Sequence, residues 1–185
     1  MSPPDAQIIR SVLAGNRNAF AILVDRHHER CLRVATHLLG DPDDAEDVVQ
    51  DAFVRAYRHL GSYRERDRFG AWLLRIVVNQ CRTRSSKEGR FIRFDAERHE
   101  QSSADEAHVT HERQAELAFA LSQLGRDQRE ALVLRFTEEL SYEEISALTG
   151  VRISALKMRV QRACLQLRLE LQEYHDDRGP TADDR

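Results

Sequence analysis

The sequence contains few of the residues that interrupt helices: of its 185 residues, 8 are glycine and 4 are proline. This scarcity disfavours a β-sandwich or barrel, whose many turns need both residue types. Long apolar runs are also missing, and none approaches the ~18 residues of a membrane-spanning helix. The first ten residues, MSPPDAQIIR, lack the basic start and the apolar centre of a secretion signal. We therefore expect a cytoplasmic protein that is not inserted into a membrane.

Metal-binding patterns are equally scarce. The three cysteines lie far apart, with no CxxC or zinc-type spacing, and are Cys31, Cys81 and Cys164. This arrangement favours reduced thiols in the cytosol. His27 shares a predicted helix face with Cys31, and His108 and His111 have a metal-like spacing. Half-buried packing explains the first pair better, and the second pair lies in an acidic segment. We therefore expect no metal site.

Signatures of catalysis are missing too. The sequence has no glycine-rich phosphate-binding loop, no GxSxG and no HExxH. We therefore expect no catalytic residues and no cofactor, and the protein is predicted not to be an enzyme.

Charge, in contrast, is abundant and alternates in sign along the chain. Residues 41–51 carry six acids and no base, and residues 72–93 carry six bases and one acid. Residues 95–112 then carry six acids and one base, and residues 151–169 carry five bases and no acid. Any single run of this kind is typical of a solvated helix face. Two separate basic runs on predicted helices instead indicate two nucleic-acid-binding patches.

Apolar periodicity predicts helices throughout the first 85 residues. One stripe runs from Phe20 to Leu39 and ends at Gly40, where a left-handed helix end is favourable. Asp41 and Pro42 then provide an N-cap and a first helical residue, and the stripe that follows runs to Leu60. A third helix is predicted from about residue 69 to 84 with Trp72, Leu73, Ile76 and Val77 facing inward, and a weaker one over 8–13. Residues 1–85 are thus predicted to form one helical domain.

A polar stretch follows, and a second helical domain is predicted after it. Residues 86–112 have little apolar periodicity and are expected to form a flexible, acidic linker, and Phe91 and Phe94 are candidate anchors within it. Residues 113–172 carry new apolar stripes, with predicted capping boxes at 127–130 and 141–144. Two helices joined near Gly150, the second capped by Ser154, match a helix-turn-helix. Residues 173–185 are expected to be a disordered tail.

The last predicted helix has two different faces. Leu156, Val160, Ala163 and Leu167 form an apolar stripe, and polar and basic residues lie largely off that stripe. A recognition helix needs this arrangement, with one face packed on its own domain and the other in the major groove. Arginine and lysine can donate to guanine, and glutamine can pair with adenine. An ordinary surface helix would have fewer of these features together.

Three segments, in this order, resemble the sigma-70 family of bacterial transcription initiation factors, in particular its small two-domain extracytoplasmic-function (ECF) group. Residues 44–57, DAEDVVQDAFVRAY, look like that family's helix for binding core RNA polymerase. Residues 69–82, FGAWLLRIVVNQCR, look like its segment for promoter melting and the -10 element. Residues 141–168 look like the helix-turn-helix that reads the -35 element.

The resemblance implies a role for each of three residue sets. Core polymerase would be bound by Asp44, Glu46, Asp47, Gln50 and Asp51. The opened -10 strand would be held by Arg75, Asn79, Arg82, Arg84 and Lys87, with Asn79 capturing a flipped base. The -35 duplex would be contacted by Ser154, Lys157, Met158, Arg159, Gln161 and Arg162. Trp72 is a candidate for stacking on a base, but its position on the inward stripe favours core packing.

The resulting hypothesis is an all-α protein of two small helical domains joined by a flexible linker, acting as an ECF sigma factor. It would direct core RNA polymerase to promoter DNA and assist opening, and an anti-sigma factor is implied as a further partner. The alternative is a stand-alone helix-turn-helix regulator that binds duplex DNA as a dimer without polymerase. A third possibility is an interaction adapter whose helices serve only as a docking surface.

Overall fold

All regular structure in the described part of the chain is helical, as the sequence predicts. The computed structural model describes residues 3–64, 68–88, 117 and 119–178, without the side chains of 87–88 and 173–178. The helices fall into two compact units. The predicted fold class is therefore confirmed. The linker's residues 89–112, including Phe91, Phe94, His108 and His111, lie outside the described residues.

The described residues of the first unit, up to Glu88, form four helices and two short 3-10 turns. The helices are α1 (Asp5–Leu13), α2 (Phe20–Leu39), α3 (Pro42–His59) and α4 (Phe69–Glu88). The 3-10 turns are Arg17–Ala19 and Leu60–Ser62. Helix α4 extends four residues beyond its predicted end, through Ser85 and Ser86.

The junction between α2 and α3 follows the predicted chemistry. Gly40 ends α2 with a positive φ of 74°, a conformation that glycine adopts without steric strain. Asp41 then caps α3, and its Oδ1 accepts hydrogen bonds from the amides of Asp43 at 2.9 Å and Asp44 at 3.0 Å. With Pro42 as the first helical residue, this cap turns α3 back along α2.

The core of the first unit lies between α2, α3 and α4. Its fully buried side chains include Leu23, Val34, Val49, Leu73 and Val77. Each such side chain stabilises the fold by about 1.5–3 kcal/mol through removal of apolar surface from water. The apolar stripes predicted for these helices are largely buried, but some residues at the edges of the stripes are more exposed than predicted.

Three residues mark those edges. Tyr57 is 38% exposed on α3, and Trp72 and Ile76 are half-buried on α4 rather than inward. A stripe assigned from 3.6-residue spacing does not reveal where the neighbouring helix stops covering it.

The second unit has its own smaller core. Its described part contains a helical segment at 119–123, α5 (Arg126–Leu132), a π-helical turn (Val133–Thr137), most of α6 (Tyr142–Thr149) and α7 (Ile153–Arg178). The core cluster comprises Leu121, Leu124, Leu132 and Ala163, with Leu167 packed against it. The apolar stripe of α7 thus faces its own domain, which leaves the opposite face available.

The structure corrects three local predictions in this unit. Helix α5 is capped at Gly125, whose amide donates to Gln128 Oε1 at 3.1 Å, so Asp127 lies inside the first turn and is not the cap. Helix α7 begins at Ile153, so Ser154 lies within it and does not cap it. The same helix continues to Arg178, beyond the tail boundary predicted at 173. Residues 168–178 contain no glycine or proline, which explains why the helix continues to the Gly179-Pro180 pair.

Candidate functional site

The outward face of α3 carries the five residues predicted to bind polymerase. Asp47, Gln50 and Asp51 are exposed on it, whereas Asp44 and Glu46 are half-buried. This face lies opposite the buried stripe of the same helix, which contains Val48, Val49 and Ala52. The exposed part of the predicted set is therefore accessible to a partner.

Glu46 is held by two neighbours within the first unit. Its Oε1 accepts a hydrogen bond from Gln50 Nε2 at 3.2 Å and lies 3.2 Å from His28 Nε2. The hydrogen bond from Gln50 lowers the pKa of Glu46, and the His28 contact lowers it further, against the opposing effect of burial. The His28 ring also stacks on Phe53, with centroids 6.3 Å apart. Glu46 thus also helps to join α2 and α3.

An ion pair connects two residues that were predicted to serve different partners. Arg84 on α4, a predicted -10 contact, pairs with Asp44 on α3, a predicted polymerase contact. Its Nη2 also lies 3.8 Å from Asp47 Oδ2. Arg84 and Asp44 are 40 positions apart in the sequence, and no sequence feature predicts that they pair. The structure therefore brings part of the two predicted sets together on one edge of the first unit.

Asn79 lines a cleft of about 370 Å³ between the end of α3 and the middle of α4. Residues that line this cleft include Arg55, His59, Trp72, Ile76, Asn79 and Gln80. Asn79 itself is exposed, whereas Arg75 and Arg82 on the same helix are half-buried. The side chain of Lys87 lies outside the described residues. The cleft combines two amides, two aromatic rings and an aliphatic wall, which suits a flat heterocycle with a polar edge.

Trp72 has two environments at once. Its ring centroid lies 5.2 Å from that of Tyr63 and 5.7 Å from that of Phe69, so it belongs to an aromatic cluster. It is nevertheless only half-buried, and its other side lines the cleft. The ring is therefore fixed by packing while part of it stays accessible.

The first turns of α7 present most of the predicted -35 residues to solvent. Ser154, Lys157, Gln161 and Arg162 are exposed, and Met158 is 48% exposed. Arg159 is half-buried and pairs with Asp127 on α5.

The approach to α7 is fixed by the predicted capping box of α6 and by a glycine turn. The Ser141 amide donates to Glu144 Oε2 at 2.9 Å, and the Glu144 amide donates to Ser141 Oγ at 3.1 Å. Gly150 then turns the chain with a φ of 74°. Lys157 lies over the ring of Tyr142, at 5.7 Å from its centroid. The predicted helix-turn-helix elements are thus present, and α7 has one face free.

Arg129 is a structural residue that the sequence did not single out. It is only 4% exposed and donates from Nε to the Leu121 carbonyl at 2.7 Å. Its Nη2 donates to the carbonyls of Ser122 at 2.8 Å and Leu124 at 3.2 Å. Burial lowers its pKa to about 10. This arginine satisfies the carbonyls at the end of the 119–123 segment and so helps to hold the second unit together.

Two further observations concern the expected absences. Within residues 3–64, 68–88 and 119–178, no cluster of three or more potential metal ligands occurs. His27, one of the weighed candidates, instead has its Nε2 2.9 Å from Asp5 Oδ2 and joins α1 to α2. Among the helices described, none has the length and apolar character needed to cross a bilayer.

Comparison with known families gives two matches in the same order as the two units. Sigma-70 region 2 matches residues 23–91, and sigma-70 region 4 matches residues 114–167. The first match contains the outward face of α3 and the Asn79 cleft. The second contains α5, α6 and the exposed face of α7.

Curated relatives agree along most of the chain. The RNA polymerase sigma-H factor of Pseudomonas aeruginosa is 31% identical over 172 residues, which cover 86% of this chain and 89% of the relative. The ECF RNA polymerase sigma-E factor of Escherichia coli K12 is also 31% identical, over 86% of this chain and 90% of the relative.

Solved structures are similar in fold as well. CnrH in complex with the cytosolic domain of CnrY is 30% identical, with a TM-score of 0.67 over 90% of this chain and 96% of the solved one. The sigma factor RpoE of Bartonella quintana, in complex with the anti-sigma factor NepR, is 26% identical, with a TM-score of 0.65 over 83% of this chain and 96% of the solved one. The chain therefore belongs to the sigma-70 family, as a member of its ECF group of RNA polymerase sigma factors.

Proposed function

We propose that this chain directs core RNA polymerase to specific promoters through two separate domains. Residues 1–85 would bind the polymerase and the -10 strand, residues 113–172 would read the -35 duplex, and residues 86–112 would link them. The observation that carries this proposal is the combination, on one chain, of a region 2 unit and a region 4 unit, each with an exposed polar helix face.

Polymerase binding is assigned to the outward face of α3. Asp47, Gln50 and Asp51 are its exposed members, and a basic helical surface of the polymerase would complement their charge. Asp44 and Glu46 act partly through the first unit, because both already contact residues of other helices. We therefore expect the three exposed residues to contribute most of the direct contact.

Capture of the -10 strand is assigned to the cleft at Asn79. An amide side chain both donates and accepts hydrogen bonds, so it can read the edge of a base that has left the stack. Arg75, Arg82 and Lys87 follow along α4 and would neutralise backbone phosphates. Arg84 would join them only when its pairing with Asp44 is released.

Recognition of the -35 duplex is assigned to the exposed face of α7. Lys157, Met158, Gln161 and Arg162 would face base edges, and Ser154 and Arg159 would contact the backbone. Because Arg159 is already paired with Asp127, its phosphate contact is expected to be weaker than that of an unpaired arginine.

Promoter opening would use binding energy alone. Captured bases and polymerase contacts stabilise the opened strand, so this chain needs no nucleotide hydrolysis, no cofactor and no catalytic residue. It would act in the cytoplasm with the polymerase. Two similar solved proteins form complexes with NepR and with the cytosolic domain of CnrY, which supports an anti-sigma partner for this chain as well.

Association with core polymerase tests the proposal. Asp51→Arg places a like charge in front of a basic partner and is expected to weaken association about tenfold or more. Asp25→Arg makes the same change at an exposed position of α2 and is expected to have no effect. Association would be measured by fluorescence anisotropy of the labelled chain titrated with core enzyme. Equal affinity of the wild type and the Asp51 variant would contradict the assignment to α3.

A stand-alone helix-turn-helix regulator is the rival function, and it would need only the second unit. The region 2 match, which includes the exposed face of α3, favours the sigma factor. The rival predicts tight duplex binding without polymerase. Under the proposed function, free chain binds promoter DNA weakly, because each patch makes few phosphate contacts.

A further inference from the structure

A buried amide in the Asn79 cleft is unused by the function described so far. Gln80 is only 8% exposed, although it follows exposed Asn79 on α4. Its Nε2 is buried and has no hydrogen-bond partner. Buried amides in folded proteins nearly always have a partner, so an unpaired buried amide is uncommon and calls for a physical explanation. Gln80 also lines the cleft, so a molecule bound there lies next to this side chain.

The remaining lining limits what that molecule is. Trp72 and Ile76 provide apolar surfaces, which a bare phosphate would leave unused. The volume of about 370 Å³ lies at the lower end of the range of small-ligand pockets, about 300–1,000 Å³. The cleft therefore suits one flat ring with a polar edge.

The hydroxyl groups of the cleft are already used as donors. Ser62 Oγ donates to the His59 carbonyl at 2.7 Å, and Thr83 Oγ1 donates to the Asn79 carbonyl at 2.9 Å. Side chains that remain able to donate to a ligand include the amides of Asn79 and Gln80. Discrimination between ring edges is then expected to depend on these two amides rather than on the hydroxyls.

We propose that Gln80 is a specificity-determining residue that reads the edge of the flipped base held in this cleft. This inference rests on the proposed capture of a base by Asn79. The Gln80 amide has one donor group and one acceptor group, so it pairs best with a base edge of the complementary pattern. Asn79 at the mouth then holds the base, and Gln80 at the floor selects among bases.

The test uses the complete holoenzyme, made from core polymerase and this chain. Open-complex formation is measured on promoters in which each non-template position of the -10 element is varied through the four bases. Gln80→Met keeps the size of the side chain and removes both hydrogen-bonding groups. We expect base preference at one position to fall roughly three- to tenfold, the worth of one hydrogen bond, with the other positions unchanged.

Two further variants make the result specific. Gln7→Met, on an exposed position of α1, is the matched control and is expected to keep every preference. Gln80→Glu keeps the shape of the side chain but only accepts hydrogen bonds. It is expected to shift preference toward bases with an exocyclic amine and away from thymine. This second variant tests the inference if the methionine variant does not assemble with core enzyme.

Asn79→Ala separates failure of this inference from failure of the proposed function. The inference predicts that Asn79→Ala and Gln80→Met alter preference at the same position. If only Asn79→Ala alters it, Gln80 does not read the base, and the captured-base assignment stands. If Gln80→Met alters preference at a different promoter position from Asn79→Ala, the two residues do not read the same base, and the inference is wrong. If neither variant alters any position, base capture in this cleft is wrong, and the inference fails with it.

Discussion

Replacement of Arg129 by methionine tests what holds the second unit together. Arg129→Met keeps most of the apolar stem and removes the guanidinium. Three hydrogen bonds to the carbonyls of Leu121, Ser122 and Leu124 are lost. Hydrogen bonds from a charged donor contribute about 1.5–3 kcal/mol each to the unfolding free energy. Their loss is therefore expected to lower the stability of the second unit.

The substitution also relieves an unfavourable burial of charge. Burial lowers the pKa of Arg129 to about 10. A shift of this size means that holding the charge in the folded state costs about 3 kcal/mol. The net loss of unfolding free energy is therefore about 2–6 kcal/mol. A unit of about 60 residues has only about 3–9 kcal/mol in total, so the second unit is expected to lose most of its stability.

Hydrogen exchange measured by mass spectrometry resolves this effect, because it follows each unit separately. In Arg129→Met, peptides from α5 and α7 are expected to exchange much faster, whereas peptides from α2 and α3 keep the wild-type rates. Arg126→Met, at an exposed position of the same helix, serves as the matched control. Unchanged protection of α5 and α7 in Arg129→Met would refute the structural role of the buried guanidinium.

Three further predictions concern the surfaces. A double-mutant cycle on Asp44→Ala and Arg84→Ala, followed by urea unfolding, is expected to give a coupling energy of about 1 kcal/mol, because the ion pair is partly exposed. A coupling energy near zero would mean that the pair contributes no stability. Arg162→Ala is expected to relax sequence preference at one -35 position by about 1–3 kcal/mol in holoenzyme binding, and an unchanged preference would remove Arg162 from the base contacts. Because the pKa of Glu46 is lowered in the folded chain, its contribution to stability is present above the unfolded value of 4.5 and is lost as the pH falls through the folded value. Glu46→Gln is therefore expected to flatten the acid side of the stability profile, and an unchanged profile would contradict the contact with Gln50 and His28.

Local chemistry was the predictable part of this fold. The Gly40 helix end, the Asp41 cap and the Ser141 capping box each depend on residues a few positions apart, and each forms as predicted. The π-helical turn and the cap at Gly125 were missed, because they depend on how α5 packs rather than on spacing alone.

Contacts between distant segments were beyond the reach of periodicity. The Arg84–Asp44 ion pair joins residues 40 positions apart, and the sequence indicated only that both are charged. Arginine is usually found on protein surfaces, so the sequence gives no reason to expect Arg129 to be buried. Only the fold shows that Arg129 is buried and bonded to backbone carbonyls at the end of the 119–123 segment. The role of Gln80 could not be predicted for a similar reason. The family resemblance points to its neighbour Asn79, and the cleft that Gln80 lines forms only when two helices pack together.

The central claim is that this chain gives core RNA polymerase a promoter preference by using both units. It is tested most directly by transcription with core enzyme on a library of randomised promoters, followed by sequencing of the transcribed templates. We expect transcripts that depend on this chain, and two enriched motifs at a fixed spacing upstream of the start site. Transcription no higher than with core enzyme alone, or templates without shared motifs, would contradict it.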